Sequence, residues 1–188
     1  LPALEAYVKA PNAESEDFFG QSLSLSGDTL AIGAYSESSC STSVSTTAAT
    51  DNGCEYAGAV YLYTRSGTEL SFTAYVKAPN AESNDLFGYS LSLSGDTLAI
   101  GAYGEDSCST SVSTTAATDN GCEYAGAVYL YTRSGTVWSF TAYFKAPNAA
   151  SNDRFGVSLS LSSDMLAVGA KYEDSCSSTI STIAATDN

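Results

Sequence analysis

The sequence predicts an all-β protein made of tandem four-stranded antiparallel blades, a β-propeller-like array holding about 2.8 units. Three observations carry this expectation. A 68-residue stretch recurs along the chain. Within each copy, apolar residues alternate with period two between turn residues. Helical apolar periodicity is absent throughout.

The recurrence is close to identity. AYVKAPNAESEDFFG begins at Ala6, AYVKAPNAESNDLFG at Ala74 and AYFKAPNAASNDRFG at Ala142. Residues 6–73 and 74–141 differ at seven positions: Glu16/Asn84, Phe18/Leu86, Gln21/Tyr89, Ser36/Gly104, Ser38/Asp106, Glu69/Val137 and Leu70/Trp138. The chain therefore divides into residues 1–5 as the end of a preceding strand, 6–73 as repeat 1, 74–141 as repeat 2 and 142–188 as a truncated repeat 3. Together these make one repeat-built β domain. Asn188 aligns with Asn52 and Asn120, so the chain is expected to stop inside a repeat. Its first residues are neither an initiator methionine nor a signal peptide, and it reads as a mature or truncated piece.

In the first copy, Ser22-Leu23-Ser24-Leu25-Ser26 sends its leucines to one face. Ser26-Gly27-Asp28-Thr29 is a tight hairpin signal. Thr29 to Tyr35 returns with Leu30 and Ile32 inward. After a Ser/Thr-rich insert, Ala57 to Thr64 forms a third strand, and Arg65-Ser66-Gly67-Thr68 turns it into a fourth, where Leu70, Phe72, Ala74 and Val76 are expected to share a face. Lys77-Ala78-Pro79-Asn80 leads to the next unit, because proline lacks the ladder donor. Gly33, Ala34, Gly58 and Ala59 are small enough to let strands approach closely. An open solenoid of stacked sheets and a set of separate small β domains are the competing architectures.

Composition narrows the function classes. Of 188 residues, 44% are apolar, enough for a core, while 21 acidic against 7 basic residues give a net charge of −14. Such a chain repels a phosphate backbone, so nucleic acid is not an expected partner. No histidine is present, which removes the commonest general base and the Ser-His and Cys-His nucleophile pairs. No apolar run approaches the ~20 residues of a membrane span. The acidity fits an extracellular surface able to hold divalent cations.

Phe19-Gly20 is followed by Gly33-Ala34-Tyr35, Phe87-Gly88 by Gly101-Ala102-Tyr103, and Phe155-Gly156 by Gly169-Ala170-Lys171. This pattern resembles the FG-GAP repeat, the blade unit of integrin alpha-subunit propellers, in its long-period secreted form. The resemblance covers essentially the whole chain and implies a propeller blade fold with roles in adhesion, secreted binding or accessory domains of extracellular enzymes. Two departures stand out. Tyr35, Tyr103 and Lys171 replace the family's usual proline. The calcium-binding loop of integrin-type blades is reduced here to SGDT, SGDT and SSDM, where Asp28, Asp96 and Asp164 supply one carboxylate each, too few for a calcium cage.

Cys40 and Cys54, and likewise Cys108 and Cys122, stand 14 residues apart, and Cys176 occupies the first position of a third such pair, its partner expected just past Asn188. A disulfide in each insert, and hence an oxidising compartment, secreted or at the cell surface, is the expected reading. Zinc would need more soft ligands than two cysteines. The insert CSTSVSTTAATDNGC is poor in apolar residues and is expected to project from one rim, either as a presented binding or assembly surface, O-glycosylated or not, or as a plain solvated loop. No Asn-x-Ser/Thr sequon occurs.

Calcium is the one candidate cofactor. Glu105 and Asp106 precede the second insert while Asp119 and Glu123 follow it, and the disulfide is expected to draw them together. Ser38 in place of Asp106 leaves Glu37, Asp51 and Glu55 in the first copy. A second oxygen-rich group, Asn80, Glu82, Asn84 and Asp85, precedes the FG pair. No catalytic residue is assigned, since identical carboxylates in every copy suit structure or multivalent binding better than an active site. Tyr61, Tyr63, Tyr129 and Tyr131 read either as carbohydrate platforms or as strand aromatics packed between blades. Two functions follow: a secreted, non-enzymatic structural or adhesive protein that self-assembles or binds extracellular protein or glycan, and a calcium-dependent protein- or glycan-binding module.

Overall fold

In a computed structural model, which describes residues 6–176, the chain forms two four-stranded sheets and one two-stranded sheet, all antiparallel. Residues 1–5, expected to end a preceding strand, and 177–188 of the third copy lie outside the described residues. The first sheet runs β1 (Ser22–Ser26), β2 (Thr29–Ala34), β3 (Ala59–Ser66) and β4 (Glu69–Val76) as a simple meander. β5 (Ser90–Ser94), β6 (Thr97–Ala102), β7 (Ala127–Ser134) and β8 (Val137–Phe144) repeat it, and β9 (Phe155–Ser162) with β10 (Met165–Ala170) forms the third sheet. The first sheet closes at Val76, so it straddles the sequence boundary at residue 73.

The expected face of the fourth strand is corrected by a β-bulge. Leu62 pairs with Ala74 but Tyr63 pairs with Phe72, so Thr73 is left over and its hydroxyl donates to Leu62 O at 3.1 Å. A one-residue slip moves every later side chain to the other face. Ala74 and Val76 therefore join Val60 and Leu62 in the core towards the second sheet. Leu70 and Phe72 instead join Tyr61, Tyr63 and Tyr75 on the opposite face. The same bulge recurs between Leu130 and Tyr131. The outer strands of the first two sheets thus bury side chains on both faces. The four tyrosines weighed as carbohydrate platforms are core residues, with Tyr61, Tyr63, Tyr129 and Tyr131 all buried.

Consecutive sheets are joined through their first strands, and serine does the joining. Ser24 Oγ accepts the Leu93 N–H at 3.0 Å and Ser26 Oγ accepts the Gly95 N–H at 3.0 Å. Ser92 and Ser94 do the same for Leu161 and Ser163 at 3.0 and 3.1 Å. A strand edge with free amides invites unwanted pairing, and here the hydroxyls of the preceding repeat cap those amides.

The glycines of the motif make this approach possible. Gly88 sits at φ 88°, and a side-chain carbon there would stand 2.6 Å from Ala59 O of the preceding repeat. Gly33 presses on the Gly88 carbonyl, which also accepts the Ser22 hydroxyl at 2.6 Å. Phe87 then enters the core edge-on to Tyr129, with ring centres 5.3 Å apart. Phe19 meets Tyr61 in the same way at 5.4 Å.

The insert does not project as expected. Ser45 and Tyr75 exchange both backbone hydrogen bonds at 2.9 and 2.7 Å, so the first insert lies along β4 as a short extra bridge. Ser113 and Tyr143 repeat this at 2.9 and 2.8 Å. Ala48 and Ala116 are buried, and Val44 packs against the core between the first two sheets. A polar insert can do this because its own backbone supplies the pairing groups that the outer strand lacks.

Candidate functional site

The residues that sequence analysis singles out fall at the junction where the KAPN segment, the end of the second strand and the insert meet. The insert is pinned by Cys40–Cys54 in the first copy and by Cys108–Cys122 in the second. Cys176 is exposed and makes no disulfide among the described residues.

Beneath each insert lies a buried ion pair. Lys77 Nζ stands 2.9 Å from Glu37 Oε2, and Lys145 Nζ stands 2.7 Å from Glu105 Oε2. All four side chains are almost wholly buried. Burial pulls the Lys77 ammonium below its ordinary range, and the Glu37 carboxylate opposes that shift. Asn80 completes the junction: its Nδ2 donates to Ala117 O at 2.7 Å and its Oδ1 accepts the Tyr129 hydroxyl at 2.8 Å. The Lys77 carbonyl accepts the Tyr131 hydroxyl at 2.7 Å. Lys77 therefore holds its own sheet through its side chain and the next sheet through its backbone. In the sequence this lysine is marked only by recurring in an otherwise apolar AYVKAP segment, and neither it nor Lys145 is legible there as an ion-pair partner.

All but one of the carboxylates named as candidate calcium ligands bond to the protein itself. Glu105 faces Lys145. Asp119 accepts the Cys108 N–H at 2.7 Å and the Ser107 hydroxyl at 2.7 Å, bonds that hold its carboxyl below the usual range, the Cys108 amide contributing most. Asp106 accepts the Tyr124 N–H at 2.7 Å, and Glu82 accepts Asn120 Nδ2 at 2.6 Å. Glu123 is exposed. Asp85 accepts the Glu82 N–H at 2.8 Å. Among the described residues, no group of three or more such side chains is placed to hold a metal ion. Glu105, Asp119, Asp106, Glu82 and Asp85 each give at least one oxygen to an N–H, O–H or ammonium group of the protein, an arrangement that braces the loop. Asp28 and Asp96 likewise pair with Arg65 and Arg133, at 3.0 and 2.6 Å.

Asp85 gives this junction a pH dependence. Burial pushes its carboxyl up to about 8, against the lowering effect of the Glu82 amide. A folded value above the ordinary 3.8 means that the native state keeps a proton the unfolded chain has lost. Stability from this group is full below the ordinary value and falls as pH rises towards about 8. Asp85→Asn keeps the acceptor for Glu82 and is expected to flatten that fall. Urea midpoints measured between about pH 5 and about pH 8 check it, and an unchanged slope assigns the effect elsewhere.

Phe87-Gly88 and Phe155-Gly156 sit against the preceding repeat, and the Gly-Ala pair ends the second strand in all three copies. The profile of the FG-GAP repeat matches residues 3–63, 71–131 and 138–181. The chain belongs to the FG-GAP repeat family. No curated protein matches it. The FG-GAP motif has a plain mechanical meaning here: Gly33 of one repeat and Gly88 of the next are the two sides of a single backbone contact. FG-GAP repeats are generally protein-interaction and adhesion modules and typically non-enzymatic. Among the described residues no helix is long and apolar enough to cross a membrane.

Proposed function

We propose that this FG-GAP protein is a secreted, non-enzymatic structural or adhesive protein whose repeats, 6–73, 74–141 and 142–188, form one domain and offer the same surfaces for self-assembly and partner binding. The observation that carries this reading is the reuse of one joining surface. Leu91 and Leu93 of the second repeat are buried against the first, whereas the matching Leu23 and Leu25 are 66% and 68% exposed. Tyr7, which lines a cleft with Leu23, is exposed as well. Exposed leucines at positions that are buried in the next repeat mark an interaction site. Its pattern of leucines matches what a serine-lined FG-GAP strand covers at Leu91 and Leu93. The two disulfides support an extracellular setting.

The calcium-dependent alternative has no comparable observation behind it. Native mass by size exclusion with light scattering tests the assembly reading. A discrete small multiple of 19.4 kDa is the result expected for closure between subunits, and an open-ended mass is expected for a polymer. A monomer at all accessible concentrations overturns self-assembly.

A further inference from the structure

Phe18, Tyr35, Tyr89 and Tyr103 form an unbroken aromatic row across the junction of the first two repeats. Phe18 stacks on Tyr35 at 5.2 Å, Tyr89 meets Tyr35 edge-on at 5.3 Å, and Tyr103 meets Tyr89 at 4.6 Å. None of the four belongs to a hydrophobic core. Phe18 is 52% exposed and the three tyrosines are half-buried, so ring area stays in contact with solvent.

The row runs on into a cation. The Arg154 guanidinium lies 5.4 Å from the ring centre of Tyr103, 5.6 Å from Tyr124 and 4.8 Å from Tyr172. Arg154 aligns with Leu86 and Phe18 in the other copies, and Tyr103 and Tyr124 align with Tyr35 and Tyr56. The chain thus fills the tyrosine site between repeats 2 and 3 with its own guanidinium. At the equivalent site between repeats 1 and 2 it places Leu86 and no cation. Beside Tyr56, a cavity of about 310 Å³ is lined by Glu14, Glu16, Asp17 and Glu55.

The geometry points to a docking surface for a basic segment of a partner protein, whose arginine side chains seat on the Tyr35 and Tyr89 rings as Arg154 seats on Tyr103, Tyr124 and Tyr172. Ring faces attract cations through their quadrupole, and guanidinium stacks on them best. The chain's charge of −14 and the flanking carboxylates complement such a segment. A neutral glycan is the poorer fit. Only Phe18 and Tyr35 are near parallel, at 8°, while Tyr89 and Tyr103 are each turned from the ring before them by 68° and 84°, so beyond that first pair the row offers no flat platform for a sugar chain. This names the partner chemistry for the adhesive role proposed above and rests on that role. Self-association is read by mass and docking by peptide affinity, so either can fail alone.

The test is calorimetric titration of the full chain with a nona-arginine peptide. Replacing Tyr35 and Tyr89 by leucine is expected to weaken binding about tenfold, while the matching phenylalanine variant keeps the ring faces and the affinity. Arg154→Gln is expected to free Tyr103, Tyr124 and Tyr172 and to add a further peptide site. Lys9→Gln makes the same change in charge on an exposed side chain and is expected to add none. Equal affinity in the leucine variant, or equal gains from Arg154→Gln and Lys9→Gln, reduces the effect to bulk charge and overturns the proposal. Tyrosine-dependent binding of cellohexaose in place of the peptide overturns it in favour of a glycan.

Discussion

Replacing Glu105 by glutamine is expected to cost about 3–5 kcal/mol of stability, because it leaves the buried Lys145 ammonium without its counter-charge. The loss is not that of a hydrogen bond. Glutamine still offers an oxygen to the Ser107 N–H, which Glu105 Oε2 accepts at 3.2 Å, yet no neutral group offsets the desolvation of an ammonium. Removing both charges as Glu105→Leu with Lys145→Met is expected to cost far less than the single change. Buried pairs replaced by well-packed apolar residues are often neutral. Because Glu37 and Lys77 form the same pair at 2.9 Å, Glu37→Gln is expected to behave likewise. Urea denaturation of the two single variants and the double variant measures this. A cost for Glu105→Gln below about 1 kcal/mol would show that the ammonium finds water.

Replacing both Cys108 and Cys122 by serine is expected to cost about 3 kcal/mol, the value for closing a loop of ~15 residues in the unfolded chain. The consequence is local as well as global. Without the bridge the insert is free to leave β8, and the pair Ser113 and Tyr143, which exchange backbone hydrogen bonds at 2.9 and 2.8 Å, opens. Faster hydrogen exchange at the Tyr143 amide, ahead of amides in β6 and β7, is the expected signature. An unchanged melting temperature in the serine variant would show that backbone pairing and packing hold the insert without the bridge. Exposure of the β8 edge also predicts that the reduced protein aggregates more readily than the oxidised one.

Much of the architecture is legible along the chain because it is local. The SGDT and RSGT turns and the period-two alternation of Ser22 to Ser26 place strands that the structure reproduces within about two residues. What escapes is any property set by strands meeting one another. The bulge at Thr73 depends on the pairing of β4 with β3, so the one-residue slip that sends Leu70 and Phe72 to the opposite face from Ala74 leaves no mark on the alternation itself. The insert looks like a projecting loop because its composition is polar, and its contacts are backbone bonds that composition does not report.

The acidic residues teach the same lesson in chemical terms. Glu105, Asp106, Asp119 and Glu123 are near one another in the chain and are drawn together by a disulfide, so a cation is a reasonable expectation. Which of them stays free is decided by pairing in the fold: Lys145 takes Glu105, 40 residues away, and the Ser107 hydroxyl takes Asp119 across the insert. The tyrosines divide for the same reason. Tyr61 and Tyr63 alternate on a strand and become core, while Tyr35 and Tyr103, standing where proline is usual in the family, lie at strand ends and stay at the surface.

The sequence by itself determined the repeat, the strands, the cysteine pairs and the family, because each rests on residues a few positions apart or on comparison of one copy with the next. Only the tertiary structure decided which face of the outer strand is buried, where the insert lies, which carboxylates are neutralised and which tyrosines remain open. Those outcomes depend on contacts between groups distant in sequence, and desolvation acts on what surrounds a side chain in space and not on its neighbours along the chain.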